Sequence, residues 1–154
     1  MVQRAVEEKH ILKKRASRDR DSYAKKFEVW GAFDVDEHPK IPEAQDMAKG
    51  NGIKLCISNP CFDLWGLLHF IVQDAPIHRH EAQRKLSIEM PSYDPGKGKR
   101  FDYELLKSRY ETAKARAVIL NKRRQEEGIA GGNPSTNVYD LLELIIENGR
   151  IIKS

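Results

Sequence analysis

Two carboxylates one residue apart, Asp34 and Asp36, carry the clearest chemical signal in the chain. They follow Phe27-Glu28-Val29-Trp30-Gly31-Ala32-Phe33, a stretch rich in aromatic and β-favouring residues, and they lead into the polar segment Glu37-His38-Pro39. That pattern predicts a buried strand ending in a loop. Strand neighbours alternate in direction, so Asp34 and Asp36 are expected on the same side. Two such carboxylates repel one another unless a cation or a proton stands between them. Mg²⁺ suits the task, with Mn²⁺ as a substitute, because it takes one or two carboxylates and keeps waters for a phosphate substrate. In phosphodiester chemistry such an ion stabilises the attacking and leaving oxygens. An Asp-x-Asp pair also arises by chance, and solvated turn residues are the plain alternative.

Other candidates lie close in sequence. His38, two residues after the pair, is placed to hold a phosphate or assist proton transfer, or to be a loop histidine without a role. Ser58 and Asn59 follow a second apolar stretch, Ile53 to Ile57, and are candidates for substrate contact. The blander reading makes them turn and cap. Asp63 is expected in a first helical turn, where the helix dipole alone favours a carboxylate. It is also a candidate to complete a metal or catalytic site. His69 reads as a core histidine.

These side chains need a scaffold. Val2, Ala5, Val6, Lys9 and Leu12 predict a helix over residues 2–16. A polar loop, the first strand, a short helix from Pro42 to Lys49 and a second strand over 53–57 follow, the helix stopped by Gly50 and Gly52. Asn59-Pro60 predicts the start of a buried helix over 61–72, with Asn59 as its cap. Strand, helix, strand, helix with short connections indicates a right-handed parallel βαβ unit. Working groups in such sheets gather beyond the carboxyl ends of the strands, where Asp34, Asp36, Ser58 and Asn59 all fall.

Residues 75–154 read differently. The pattern gives a helix over 78–86, a loop over 90–99 rich in Pro, Gly and Lys, and one long helix over 101–127. Asn133-Pro134 is expected to start a last helix, with Val138, Leu141, Leu142, Ile145 and Ile146 inward and Gly149 as its stop. The fold class is therefore α/β: a small parallel sheet flanked by helices, with a mostly helical second half. The 154 residues make one domain, with residues 1–74 as its βαβ-type core and 75–154 as a helical extension.

Composition narrows the function classes. Apolar residues form 40% of the chain and charged residues 32%, so the core is modest and the surface strongly charged. The longest apolar run, Leu64 to Val72, falls short of the ~20 residues of a membrane span. The first ten residues lack the apolar stretch of a secretory signal. Two cysteines, Cys56 and Cys61, are too few for a disulfide framework and lack zinc-site spacing. The cytoplasm is the expected compartment. The net charge of +4 is concentrated between Lys9 and Arg20 and in Arg116, Lys122, Arg123 and Arg124. Such clusters favour nucleic acid, DNA or RNA, although a solvated helix face looks the same in sequence.

Four segments go beyond a generic α/β domain: 33–39 (Phe-Asp-Val-Asp-Glu-His-Pro), 52–65 (Gly-Ile-Lys-Leu-Cys-Ile-Ser-Asn-Pro-Cys-Phe-Asp-Leu-Trp), 67–70 (Leu-Leu-His-Phe) and 133–136 (Asn-Pro-Ser-Thr). In that order and spacing they resemble the RloB family, named for open reading frames linked to type I restriction genes, over essentially the whole chain. The resemblance implies a Toprim-like fold, a role in phage defence by abortive infection, an RloA-type ATPase partner and Mg²⁺-dependent nuclease activity, with self-association also open. It matches Asp34 and Asp36 to the Toprim acidic pair; His38, Asn59 and Cys61 match motif positions without an assigned role. Position 63 is usually Glu in the family and Gly66 stands where a large apolar residue is usual. Family members typically begin with an apolar strand and a motif like Gly-Glu-x-x-Thr-Glu, whose Glu is the expected general acid/base. Here Glu7 and Glu8 lie on a helix without that strand, so a truncated or misplaced start is expected, with an unpaired sheet edge and impaired catalysis.

Two other classes stay open. A non-catalytic subunit that binds an ATPase or nucleic acid would need no acid/base motif. A haloacid-dehalogenase-like phosphatase would use Asp34 as nucleophile and Ser58 after the next strand, although no later acidic pair follows an apolar strand.

Overall fold

The computed structural model describes residues 1–20, 27–37 and 40–153, so His38 lies outside the described residues. In chain order the elements are α1 (Val2–Arg18), β1 (Trp30–Asp34), a single 3-10 turn (Val35–Glu37), α2 (Ile41–Gly50), β2 (Lys54–Asn59), α3 (Asp63–Leu68), α4 (Arg79–Glu89), α5 (Tyr103–Lys107), α6 (Tyr110–Glu126), β3 (Ser135–Thr136) and α7 (Val138–Lys153). The fold is α/β, a three-stranded sheet flanked by helices with a helical second half. The strand order is β1-β2-β3. β1 and β2 run parallel with Asp34 opposite Ser58, the arrangement expected from the βαβ pattern.

The first unit closes on its own small core. Val2, Ala5, Phe33, Ala48 and Ile53 come together from α1, β1, α2 and the residue just before β2. The chain leaves α2 through Gly52 at φ +61°, a left-handed conformation that glycine adopts without strain. The Lys9 ammonium donates to the carbonyls of Asn51 (2.8 Å) and Gly52 (2.6 Å), holding α1 against this turn. A cation at the carboxyl end of a helix is also favoured by its dipole.

α3 is buried on every side, as its apolar composition requires. Leu64, Trp65 and Leu68 join Cys56, Ala113, Ala117, Leu120 and Val138 in one cluster. Cys61 and Leu67 join Ile77, Ala82, Leu86, Met90, Tyr93 and Leu106 in another. Gly66 lets these layers approach: a Cβ there would meet Cζ of Phe101 at 2.7 Å. The ring of Phe101 thus fills the space that a larger residue at position 66 would take.

The two clusters explain a departure from the sequence pattern. The expected single helix over 101–127 is two helices, because Leu106 packs into one cluster while Ala113, Ala117 and Leu120 pack into the other. Asp102 caps α5 by accepting from the Leu105 amide at 3.2 Å, and the chain turns at Ser108 and Arg109 before α6.

The segment after α6 also differs. Asn133-Pro134 starts no helix; the pair precedes β3, which runs antiparallel to β2, so the sheet is mixed rather than purely parallel. Asparagine amides stand in for strand partners here. Asn137 accepts from the Ile57 amide (2.6 Å) and donates to the Leu55 carbonyl (2.9 Å). Asn121 does the same for the backbone of Thr136 (3.1 and 2.8 Å), and Asn133 for that of Ile77 (3.0 and 2.8 Å). α7 then runs past Gly149, which is not its stop. Val138, Leu141 and Leu142 pack inward, whereas Ile145 and Ile146, expected to continue the stripe, stay exposed. Among the described residues no helix is long and apolar enough to cross a membrane.

Candidate functional site

β1 delivers Asp34 to the carboxyl end of the parallel pair, level with Ser58. Asp36 does not continue the strand. The chain folds into the 3-10 turn Val35–Glu37, and the Asp36 amide donates to the Pro60 carbonyl at 3.3 Å. The two carboxylates therefore meet through a bend and a shared partner, not through strand alternation.

That partner is Arg79, the first residue of α4. Its Nη2 donates to Asp34 Oδ2 at 3.1 Å and to Asp36 Oδ1 at 2.8 Å. Nε approaches Asp36 Oδ2 at 2.7 Å, a close ion pair without the alignment of a full hydrogen bond. One guanidinium thus bridges both acids through Nη2. Asp34 also accepts from the Phe62 backbone amide at 2.8 Å, which ties it to the loop after β2. Side chains of Arg79, Asp34 and Asp36 are 17%, 18% and 29% exposed, so solvent reaches the cluster without flooding it.

Arg79 carries no conspicuous motif. One signal was available: a cation in the first turn of a helix opposes the helix dipole, so it needs a strong acceptor nearby. The acids supply it. His78 and His80 flank Arg79, both exposed, with ring centroids 5.3 Å apart.

The other candidates are placed differently. Asp63 is 2% exposed and lies in the first turn of α3, as expected. It accepts from Tyr93 Oη at 2.6 Å and Gln83 Nε2 at 3.0 Å, with Cys61 Sγ at 3.6 Å and Lys99 Nζ at 3.7 Å. Burial, and then the bond to Asp63, hold the Tyr93 phenol protonated far above its ordinary range. Burial likewise pushes the Cys61 thiol up to about 12, reinforced by the charges of Asp63, Asp34 and Asp36. Asp63 therefore organises a sealed polar network beneath the acidic pair, and its oxygens are taken by protein donors.

Ser58 is buried, its hydroxyl 2.7 Å from that of Thr136 across the β2–β3 pairing. Asn59 closes β2 and does not cap a helix; its amide donates to the Gly131 carbonyl at 2.9 Å. The Asn59–Pro60 bond is cis, and Phe62 precedes α3 instead. His69 is buried with Nδ1 2.9 Å from the Trp65 carbonyl. Burial lowers its pKa, so the ring is neutral and donates that bond.

Much of the second basic cluster is also committed to the protein. Arg124 is buried and donates to Asn133 and Glu127, Arg116 donates to the Leu68 carbonyl, and Arg123 pairs with Asp74 at 2.8 Å.

The donor set at Asp34 and Asp36 suits a hard cation. One oxygen from each carboxylate converges on a single point, now taken by Arg79 Nη2. Among the described residues no third His, Cys, Asp or Glu joins them. Two carboxylates completed by water are what Mg²⁺ commonly accepts.

No curated protein and no solved structure matches the chain. A family model, described as RloB-like protein, matches residues 1–145. The chain belongs to the RloB-like family.

Proposed function

We propose that this chain is a cytoplasmic, Toprim-type, Mg²⁺-dependent nuclease-like component of antiphage defence, acting on DNA or RNA. The observation that carries this reading is the convergence of Asp34 and Asp36 on one cationic group at the carboxyl end of the β1–β2 pair. Asp34 and Asp36 would hold the metal, which when bound supplies charge stabilisation at a phosphodiester. Arg79, released from the acids, is positioned to grip a phosphate oxygen through its planar fork. Asp63 fixes the loop that presents the Phe62 amide to Asp34, so it acts through position. Ser58 and Asn59 hold β2 against β3 and the Gly131 turn, setting the floor of the substrate site. His38 follows the pair in sequence and is assigned proton transfer. The buried free thiols of Cys56 and Cys61 accord with a reducing compartment.

Incubation with Mg²⁺ and a panel of duplex DNA, single-stranded DNA, tRNA and other RNA tests this reading. Cleavage lost in the Asp34→Ala/Asp36→Ala double variant is expected. Cleavage that survives the double variant removes it.

One observation favours a second reading, a non-catalytic subunit bound to an ATPase of the RloA type: Arg79 already bridges both acids. Co-purification with the ATPase and no cleavage of any panel member would support it. The phosphatase reading gains nothing, since the Ser58 hydroxyl is engaged with Thr136.

A further inference from the structure

Phe62 is 44% exposed, although both its neighbours, Cys61 and Asp63, are buried. A lone exposed aromatic ring is ordinary on a protein surface. This one is held unusually firmly. Its ring stacks on Phe101 with centroids 5.3 Å apart and planes within 15°. Phe101 packs edge-on against buried Tyr93 (5.9 Å, 60°) and fills the space left by Gly66. The Phe62 backbone amide donates to Asp34 at 2.8 Å, so the residue that carries this ring is tied to the acidic pair.

The charge around it is complementary to phosphate. The loop leading to Phe101 reads Gly96-Lys97-Gly98-Lys99-Arg100, and all three cations are exposed. Lys99 reaches within 3.7 Å of Asp63, the residue after Phe62, which places the loop beside the stack. Lys97 pairs with Asp94 at 3.6 Å, leaving the loop with a cationic excess. Lys99 thus stands beside Asp63, one residue from Phe62.

We propose that Phe62 is a stacking platform for an unpaired nucleobase, with Lys97, Lys99 and Arg100 contacting the adjoining backbone. The substrate class this assigns is single-stranded nucleic acid, or a loop or flipped base within a larger one. A base inside a duplex has both faces covered by its neighbours, so Phe62 can stack only on one with a free face. The assignment rests on the nuclease reading of Asp34 and Asp36 for its orientation, but binding at Phe62 is measured separately.

The test is binding in EDTA, so that cleavage cannot intervene. Twelve-nucleotide DNA and RNA strands of mixed sequence carrying 2-aminopurine would be titrated with wild type, Phe62→Leu and Phe62→Trp, beside the same DNA as a duplex. Quenched 2-aminopurine fluorescence on wild type is expected, with affinity falling roughly 5- to 150-fold in Phe62→Leu and restored in Phe62→Trp. The DNA and RNA arms show which sugar is preferred. Unchanged single-strand affinity in folded Phe62→Leu overturns the platform, as does a wild type that binds only duplex. If wild type nonetheless cleaves duplex in Mg²⁺, and Asp34→Ala/Asp36→Ala does not, the nuclease reading stands alone.

Discussion

The protein places carboxylates at two adjoining positions, the pair Asp34 and Asp36 and the single Asp63, linked through the Phe62 amide, and treats them in opposite ways. Asp63 is sealed, its oxygens accepting from Tyr93 and Gln83, groups that cannot leave without opening the core. Asp34 and Asp36 sit at the end of a strand, partly exposed, and share one long, flexible side chain, that of Arg79. Rigid donors define a shape. A cationic side chain that solvent can reach defines an exchangeable site, because water or another cation can compensate its departure. Neighbouring acids thus serve two ends, position at Asp63 and, on the proposed reading, exchange at Asp34 and Asp36.

Stability measurements should separate them most sharply. Asp63→Ala would leave Tyr93 and Gln83 with buried, unpaired donors and is expected to cost about 3–5 kcal/mol in urea unfolding. Asp34→Asn, which keeps shape and leaves Asp36 to pair with Arg79, should cost about 1 kcal/mol. Equal losses would erase the distinction.

Removing the shared cation comes next. Arg79→Met leaves two neighbouring carboxylates without their bridge, so their affinity for Mn²⁺ in calorimetric titration should rise about tenfold, equivalent to roughly 1.4 kcal/mol. Unchanged affinity would mean that Arg79 does not occupy the cation position.

The smallest effects come with pH. Cys61, beside Asp63, is pushed up to about 12 and Cys56 to about 11, foremost by burial, from an ordinary value near 9.0. Above pH ~9 the unfolded chain releases thiol protons that the native protein retains, so stability should fall as pH rises from 9 towards 11, by at most about 1.4 kcal/mol per unit for each thiol. His69 acts at the other limit. Its lowered pKa keeps the native ring neutral while the unfolded ring gains a proton, so stability is lost as pH falls below ~6.5. Chemical denaturation from pH 5 to 11 checks both slopes; a flat profile between 9 and 11 would contradict the buried-thiol assignment.

The first unit was legible in sequence because its signals are local. Apolar strands before Asp34 and Ser58 and the Gly50–Gly52 stop give the parallel pair without distant information. β3 was not legible, since a two-residue strand lacks periodicity and depends on the amide of Asn121, which lies on α6 and holds the Thr136 backbone. The break at Ser108 and Arg109 was hidden for a related reason: apolar spacing continues through it, and only the division between two core clusters demands a turn. At the site, Asp34 and Asp36 could be found from their setting. Ser58 and Asn59 were found as positions, but their partners, Thr136 and Gly131, lie more than 70 residues away. Arg79 and Phe62 gain their significance from contacts alone.

Manganese titration followed by electron paramagnetic resonance, on wild type and on Asp34→Asn/Asp36→Asn shown to be folded by circular dichroism, is the most direct measurement of the exchangeable site. One bound ion per wild-type chain and none in the double variant is expected. Equal binding by both proteins, or none by wild type, would contradict it.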